Sequence, residues 1–243
     1  MHLTADLHIH TVSSGHAYST VLEIAGAARD KGLEMVAITD HGPAMPGGPH
    51  PYYFGNLRAI PREICGVRIL RGAELNVIDR EGNLDLSLDR VCQLDIVLAG
   101  LHEYCFPDGS VEENTRGMIA AMRNPFVDIV VHPGNPEFKI DPAKIVRAAT
   151  ELGIAIEVNN SSLTTCRFGS ATRCREIMTL AKQYGTLLSV GSDSHIALTV
   201  GELSAARELL KTAGIPAEQV LNTSGARTEQ YLAQRRAKRP PQR

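Results

Sequence analysis

The sequence lacks the features that mark membrane-spanning and secreted proteins. Its 243 residues contain no apolar run close to the roughly 20 residues of a membrane helix. The N-terminus MHLTADLHIH has neither the basic nor the apolar segment of a secretory signal. The five cysteines form no CxxC pair, a pattern typical of reduced thiols inside the cell. We therefore expect a cytoplasmic protein without membrane attachment.

An excess of either charge is also missing. The chain has 25 Lys and Arg against 27 Asp and Glu, a net charge of −2. Five of the basic residues lie in the last nine positions, RRAKRPPQR, so residues 1–234 carry a net charge of −7. We interpret 1–234 as one domain and 235–243 as a disordered basic tail. A net acidic domain makes nucleic acid an unlikely partner.

Short apolar runs alternate with longer helical stretches along the whole chain. Runs such as IVLAG, AIEV and LLSV are typical of parallel strands that are buried on both faces. The predicted strands are Thr4–Ile9, Met35–Thr39, Arg68–Glu74, Ile96–Gly100, Ile129–Val131, Ile154–Val158 and Leu187–Val190. The predicted helices are Leu22–Lys31, Pro142–Leu152, Ala171–Tyr184 and Gly201–Ala213, each followed by a glycine.

Seven strands with intervening helices predict an α/β fold. No glycine-rich dinucleotide fingerprint follows the first strand, where the residues are HIHTVSSGH. A closed or nearly closed barrel with one strand fewer than the usual eight is therefore our first choice, and a doubly wound sheet is the alternative. Residues 43–56 form a Pro- and Gly-rich loop that is long enough to act as a lid or rim.

Histidines and two carboxylates follow the predicted strands at their carboxyl ends. In a parallel barrel these ends open onto one face, so their side chains should converge on one pocket. His8 and His10 also project to the same side of their strand. The nine positions are His8, His10, His16, His41, Glu74, His102, His132, Asp193 and His195.

This convergence predicts a metal site rather than a set of structural histidines. Imidazolium ions crowded into one cleft would repel each other, whereas metal cations bind neutral imidazoles. Nine nitrogen and oxygen donors exceed the needs of one four-coordinate ion, which implies two or three metals. Imidazole and carboxylate without thiolate suit zinc, with manganese or iron as alternatives.

The motifs DLHIHT, ITDHG, LHE, HPGNP and GSDSH, together with His16 and Glu74, resemble in order the PHP family (polymerase and histidinol phosphatase). The stretches SSGHAYST, DHGPAMPGGPH and EVNNSS resemble its YcdX-like branch of stand-alone phosphatases. The resemblance implies a distorted (β/α)7 TIM-like barrel in a single domain, three Zn²⁺ ions and, less strongly, a homotrimer. It assigns His8, His10, Glu74 and Asp193 to one metal, Glu74, His102 and His132 to a second, and His16, His41 and His195 to a third.

Four residues are candidates for a catalytic role. Glu74 and Asp193 would act as metal ligands. Arg167 could donate two hydrogen bonds to a phosphate. His50, in the loop after the second strand, could protonate the leaving group. Asp6 and Asp40 stand beside ligand histidines and could either orient an imidazole or cap a turn. Asn159, Asn160, Ser161 and Ser162 could bind substrate or satisfy the loop backbone.

Clustered divalent ions suit hydrolysis of a phosphate ester by hydroxide that the metals activate. We therefore predict a phosphatase that acts on phosphomonoesters of a small molecule. The alternatives within the family are a nucleotide or histidinol-phosphate phosphatase and an exonuclease-like phosphodiesterase. A protein that is not an enzyme, a metal-binding regulatory module, is a further alternative. Loss of ligands would indicate such a module, and every expected ligand is present.

Overall fold

Seven apolar runs form parallel strands that follow one another around a single sheet. The computed structural model describes residues 1–240. The sheet has the order β1-β2-β4-β5-β6-β7-β8, and the short β3 pairs antiparallel with β4. The strands are β1 Ala5–Ile9, β2 Met35–Ile38, β3 Glu63–Ile64, β4 Val67–Asn76, β5 Ile96–Gly100, β6 Ile129–Val130, β7 Ala155–Asn159 and β8 Leu188–Gly191. The seven predicted strands are confirmed with small shifts of their ends, and β3 was not predicted.

Helices connect these strands, and several begin and end at residues with recognisable capping roles. The Asp141 side chain accepts a hydrogen bond from Lys144 N at the start of α5, and Gly153 ends the helix in the left-handed region at φ +65°. The helices are α1 Val21–Asp30, α2 Tyr52–Asn56, α3 Leu88–Val91, α4 Val111–Met122, α5 Pro142–Leu152, α6 Ser161–Thr164, α7 Ser170–Tyr184, α8 Ser204–Ala213 and α9 Gly225–Ala237. No described helix is long and apolar enough to cross a membrane.

The first and last strands of the sheet approach each other, which produces a nearly closed barrel. At the carboxyl ends, Asp193 N donates to His8 O over 2.9 Å, and His10 N donates to Ser194 O over 2.9 Å. Nearer the amino ends of the strands, the buried Asn222 side chain connects β1 and β8. Its Nδ2 donates to Ala5 O (2.8 Å) and to Val190 O (2.7 Å). This closure confirms the predicted seven-strand barrel and excludes the doubly wound alternative.

The carboxyl-terminal helix covers strands of the barrel, which corrects the predicted tail. Arg235 lies in α9 and is only 5% exposed, since its guanidinium donates to the carbonyl oxygens of Val127 (2.8 Å) and Leu152 (3.0 Å). Arg239 donates to the buried carboxylate of Asp128 over 2.9 Å. Arg235 and Arg239 are therefore anchored to the barrel, whereas Arg236 and Lys238 between them are exposed. Composition alone does not reveal this pairing. Residues 241–243 of the predicted tail lie outside the described residues.

Candidate metal centre

The nine predicted ligands lie together at the carboxyl ends of the barrel strands. Seven of them are buried, while His16 and His195 border an open cavity of about 630 Å³. His8 and Glu74 lie within β1 and β4, and His10 follows β1 directly. His102, His132 and Asp193 each follow β5, β6 or β8 by two residues. The parallel barrel thus brings together side chains that are up to 187 positions apart.

The first group of donor atoms comes from the HxH motif and the two carboxylates. His8 Nε2 and His10 Nε2 are 3.1 Å apart. Asp193 Oδ1 lies 3.6 Å from the first nitrogen and 3.3 Å from the second. Glu74 Oε2 lies 3.3 and 3.4 Å from the same two atoms. Four donor atoms therefore face one common space.

A second group forms on the other oxygen of Glu74. Its Oε1 lies 2.9 Å from His102 Nε2 and 2.7 Å from His132 Nε2. The two imidazole nitrogens are 3.2 Å apart. The two oxygens of a single carboxylate thus face two different sets of imidazoles.

A third group is built from neighbouring imidazole rings at the mouth of the site. The ring centroid of His16 lies 5.1 Å from that of His41 and 5.0 Å from that of His195. Donor atoms of His10, His41 and His195 all lie within 4.8 Å of one another. His16 therefore lies next to this group. The close set is His10, His41 and His195, whereas the predicted third set has His16 instead of His10.

Several polar atoms of the cluster lack partners among the described residues. His41 Nδ1 and Glu74 Oε2 are 2.9 Å apart but form no hydrogen bond, and both are buried. Burying polar atoms without partners costs about 1–3 kcal/mol each. The facing imidazole nitrogens, 3.1–3.2 Å apart, can share one proton per pair or can both offer their lone pairs to a cation. Cations between these atoms would satisfy all of them, so the donor set fits divalent metals.

The electrostatics of the cluster favour the protonation states that bind metals. Burial, followed by repulsion from His41, holds the pKa of His10 well below its ordinary value. Burial and Arg167 lower the pKa of His132 to about 4. Burial alone would raise the pKa of Glu74, but the neighbouring His8 and other imidazoles lower it well below its usual range. Burial also lowers the pKa values of His16 and His102, whereas nearby carboxylates, Glu157 first, raise the pKa of His8 well above its ordinary value despite burial. The lowered values favour the neutral imidazoles that bind metals, and Glu74 is charged.

Asp40 supports His10 through a hydroxyl group. Ser14 Oγ lies 3.1 Å from His10 Nδ1 and donates to Asp40 Oδ1 over 2.7 Å. Asp40 also accepts hydrogen bonds from Thr11 N and Tyr53 Oη, so it both orients an imidazole indirectly and ties α2 to the site. Asp40 therefore has the first of the two roles considered for it, the orientation of an imidazole.

Asp6 binds backbone N–H groups of the loop that follows β8. Its carboxylate accepts hydrogen bonds from the backbone of Ser192 (2.9 Å) and Gly201 (2.8 Å), which follow β8. It thus holds the loop that carries two of the predicted ligands, Asp193 and His195.

Arg167 lies at the wall of the cavity, as the phosphate-binding prediction requires. Its Nη1 donates to Asp193 Oδ2 over 2.9 Å, and its side chain is 18% exposed. Burial would lower the pKa of this guanidinium, but Asp193 raises it, so the group remains charged. Asn160 and Ser161 also line the cavity.

The structure does not bring His50 to the cavity. The side chain is exposed, it is absent from the described residues that line the cavity, and its Nδ1 accepts a hydrogen bond from Tyr52 N. Its loop reaches the cavity through Met45 instead. The loop therefore forms a rim, as predicted, without presenting its histidine.

Strained backbone is concentrated at the site. His132, Asp193, Arg167 and Tyr104 all have positive φ angles, at +33°, +55°, +51° and +68°. Residues other than glycine rarely adopt this region, and such strain is typical of functional sites. The fold therefore holds these side chains at some cost in stability.

Sequence analysis missed Glu157, a buried residue of β7. Its Oε1 lies 2.7 Å from His8 Nδ1, and its Oε2 accepts a hydrogen bond from His132 N over 2.9 Å. The available signal was a single carboxylate inside the apolar run AIEV. A charged residue at such a position is almost never fully buried without a partner.

Comparison with known proteins agrees with this geometry. The model of the PHP domain matches residues 6–213. A probable phosphatase of Caldanaerobacter subterraneus subsp. tengcongensis is 50% identical over 97% of this chain and 93% of its own. A probable phosphatase of Shewanella sp. (strain MR-4) is 45% identical over 97% of this chain and 93% of its own.

A solved structure shares the fold. The histidinol phosphate phosphatase of Lactococcus lactis, solved with zinc, L-histidinol and phosphate, aligns with a TM-score of 0.61 over 88% of this chain and 94% of its own, at 18% identity. Together with the close relatives, the match confirms the resemblance predicted from the motifs. The chain belongs to the PHP domain family, and within it the protein is a phosphatase, a phosphoric monoester hydrolase.

Proposed function

We propose that this phosphatase hydrolyses phosphomonoesters of a small molecule at a cluster of three divalent cations, with zinc as the native metal. His8, His10, His16, His41, Glu74, His102, His132, Asp193 and His195 would hold the cations. Zinc suits the set of imidazoles and carboxylates, and zinc is bound by the related fold from Lactococcus lactis.

The position of Glu74 carries the proposal. One of its oxygens faces His102 and His132, and the other faces His8, His10 and His41 at 2.9–3.4 Å. A carboxylate with its two oxygens in two separate donor groups has the arrangement of a ligand that bridges two metals. When bound, paired metals lower the pKa of a water molecule and neutralise phosphoryl oxygens.

Arg167 would bind the phosphate beside the metals. It is the only Lys or Arg among the described residues that line the cavity. Its pairing with Asp193 aims the guanidinium across the site. The planar donor fork of an arginine matches two oxygens of a phosphoryl group.

The remainder of the cavity favours a small substrate with one phosphate. Glu103, Glu137 and Glu202 line the cavity, whereas Arg167 supplies its only permanent positive charge among the described residues. Carboxylates near the mouth would repel the further phosphates of a nucleic-acid strand. This disfavours the exonuclease-like phosphodiesterase. A homotrimer and a cytoplasmic location stay predictions.

The direct test is turnover of p-nitrophenyl phosphate by the purified protein, before and after treatment with a chelator. We expect loss of activity on chelation and recovery when Zn²⁺ is added back. Bis(p-nitrophenyl) phosphate serves as the matched diester and should be a much poorer substrate. Protein with bound zinc and no turnover of either ester would favour the regulatory module and overturn the proposal.

A further inference from the structure

Glu157 is a buried carboxylate that connects three parts of the metal centre. It lies in β7 and is 4% exposed. Oε1 faces the ring of His8, and Oε2 accepts hydrogen bonds from His132 N (2.9 Å) and from Asn159 Nδ2 (3.1 Å). The same amide nitrogen of Asn159 lies 3.2 Å from Asp193 Oδ2. Glu157 thus contacts the ring of His8 and the backbone of His132 directly, and it reaches Asp193 through Asn159.

The fold leaves space for this contact at the neighbouring strand. Gly191 stands at the end of β8, and a Cβ atom there would overlap both Glu157 Oε1 and the Cβ of His8. The φ angle of Gly191 is not in the left-handed region, so its conformation does not explain why glycine stands there. The absence of a side chain at residue 191 instead lets the carboxylate and the imidazole approach to 2.7 Å.

The hydrogen bond to Glu157 determines which ring nitrogen of His8 carries a proton. Since a carboxylate only accepts hydrogen bonds, Glu157 requires a proton on His8 Nδ1. A metal-bound imidazole is neutral, so the lone pair of His8 is then on Nε2, the atom that faces His10, Glu74 and Asp193. A carboxylate behind a ligand histidine sets the ring's tautomer and orientation in this way.

We propose that Glu157 is a positioning residue that holds His8 in its metal-binding tautomer, fixes the strained backbone of His132, and thereby sets the affinity of the centre for zinc. This inference rests on the proposed function, since it requires that the cluster binds metal. Glu157 itself faces the rear of the His8 ring and is not among the described residues that line the main cavity.

The substitution Glu157→Gln separates this role from simple packing, because the two side chains have nearly the same shape. The two N–H donors at Oε2 demand an acceptor there, so the amide oxygen of Gln would face His132 and Asn159. Its NH₂ group would then face His8 Nδ1 and donate to it. That donation moves the ring proton to Nε2 and blocks the atom that would bind metal.

The first experiment measures zinc affinity by competition with a chromogenic chelator. We expect Glu157→Gln to bind zinc about 10- to 100-fold more weakly than the wild type at one or more sites. Asp128→Asn is the matched control, because it also replaces a buried carboxylate by an amide but contacts Arg239 outside the centre. Its zinc affinity should equal that of the wild type.

The outcomes distinguish this inference from the proposed function. Equal zinc affinity in Glu157→Gln and the wild type would overturn the role of Glu157 and leave the metal centre intact. A wild-type protein that binds no zinc would instead refute the proposed function.

A second measurement needs no Glu157 variant and applies even if Glu157→Gln does not fold. Nitrogen-15 NMR of the zinc-loaded wild type reports which ring nitrogen of His8 carries a proton, with the signal assigned by its loss in His8→Asn. A proton on Nδ1 is expected. A proton on Nε2 would contradict the proposal.

Discussion

The guanidinium of Arg167 donates a 2.9 Å hydrogen bond to Asp193, so the predicted phosphate-binding group is tied to a predicted metal ligand. Both residues have positive φ angles, a strained conformation for residues other than glycine. The pair lies at the boundary between the buried cluster and the open cavity. Substrate binding and metal binding are therefore expected to meet at this contact.

Replacement of Arg167 by alanine should weaken substrate binding more than metal binding. Hydrogen bonds to charged groups contribute about 1.5–3 kcal/mol, so we expect kcat/KM to fall about 10- to 100-fold. Steady-state kinetics with p-nitrophenyl phosphate measure this effect. Arg175→Ala, which removes an exposed guanidinium on α7, is the control and should leave the kinetics unchanged. Wild-type kinetics in Arg167→Ala would exclude a phosphate contact.

Replacement of Glu74 by alanine should abolish activity and remove two metals together. The reason is that its two oxygens face different donor groups, so both groups lose a ligand at once. Metal content per chain, measured by atomic emission on dialysed protein, checks this expectation alongside turnover. Full activity, or loss of one metal alone, would argue against a bridging carboxylate.

The metal-free protein should lose stability as the pH falls from about 6.5 towards 4. Burial and Arg167 lower the pKa of His132 to about 4 in the folded chain, whereas an unfolded histidine titrates near 6.5. Between these values the unfolded state binds a proton that the folded state does not. His132 alone should therefore decrease the free energy of unfolding by about 1.4 kcal/mol per pH unit in this window.

Urea denaturation of the chelated protein at several pH values tests this linkage. The variant His132→Gln should show a shallower dependence on pH than the wild type. Identical slopes for the two proteins would mean that His132 titrates normally in the folded chain.

Asn222 should be essential for closing the barrel. Its side chain satisfies Ala5 O, Val190 O and Val190 N, which would all remain buried after truncation. Because each unpaired group costs about 1–3 kcal/mol, Asn222→Ala should reduce the free energy of unfolding by about 3 kcal/mol or more. Thermal and urea unfolding measure the change, and the exposed Gln93→Ala is the control. A loss below about 1 kcal/mol in Asn222→Ala would contradict this role.

The sequence predicts the barrel, and the meeting of nine side chains at the carboxyl ends of its strands, because both follow from local patterns. Apolar runs mark the buried strands, and parallel strands bring their carboxyl ends to one face, so positions such as His102 and His132 can be placed on that face from the sequence alone. Glu157 could not be placed in this way. Its role depends on a partner 149 positions away, and nothing in AIEV indicates His8.

The errors have a similar origin. Arg235 belongs to a segment whose composition suggests a solvated tail, but it is buried and donates to acceptors in the distant helix α5 and in the loop before β6. His50 lies in a loop of the right length to cover the cavity, but the local turn at Tyr52 holds it outside. Long-range pairing of individual side chains therefore limits what local patterns can predict.

Anomalous diffraction at the zinc absorption edge, from crystals of the zinc-loaded protein, is the most direct test of the metal centre. We expect strong peaks among the nine side chains, one of them facing His8 Nε2, His10 Nε2 and Asp193, and another facing His102 and His132. A catalytically active protein with no anomalous peak among these residues would contradict this expectation.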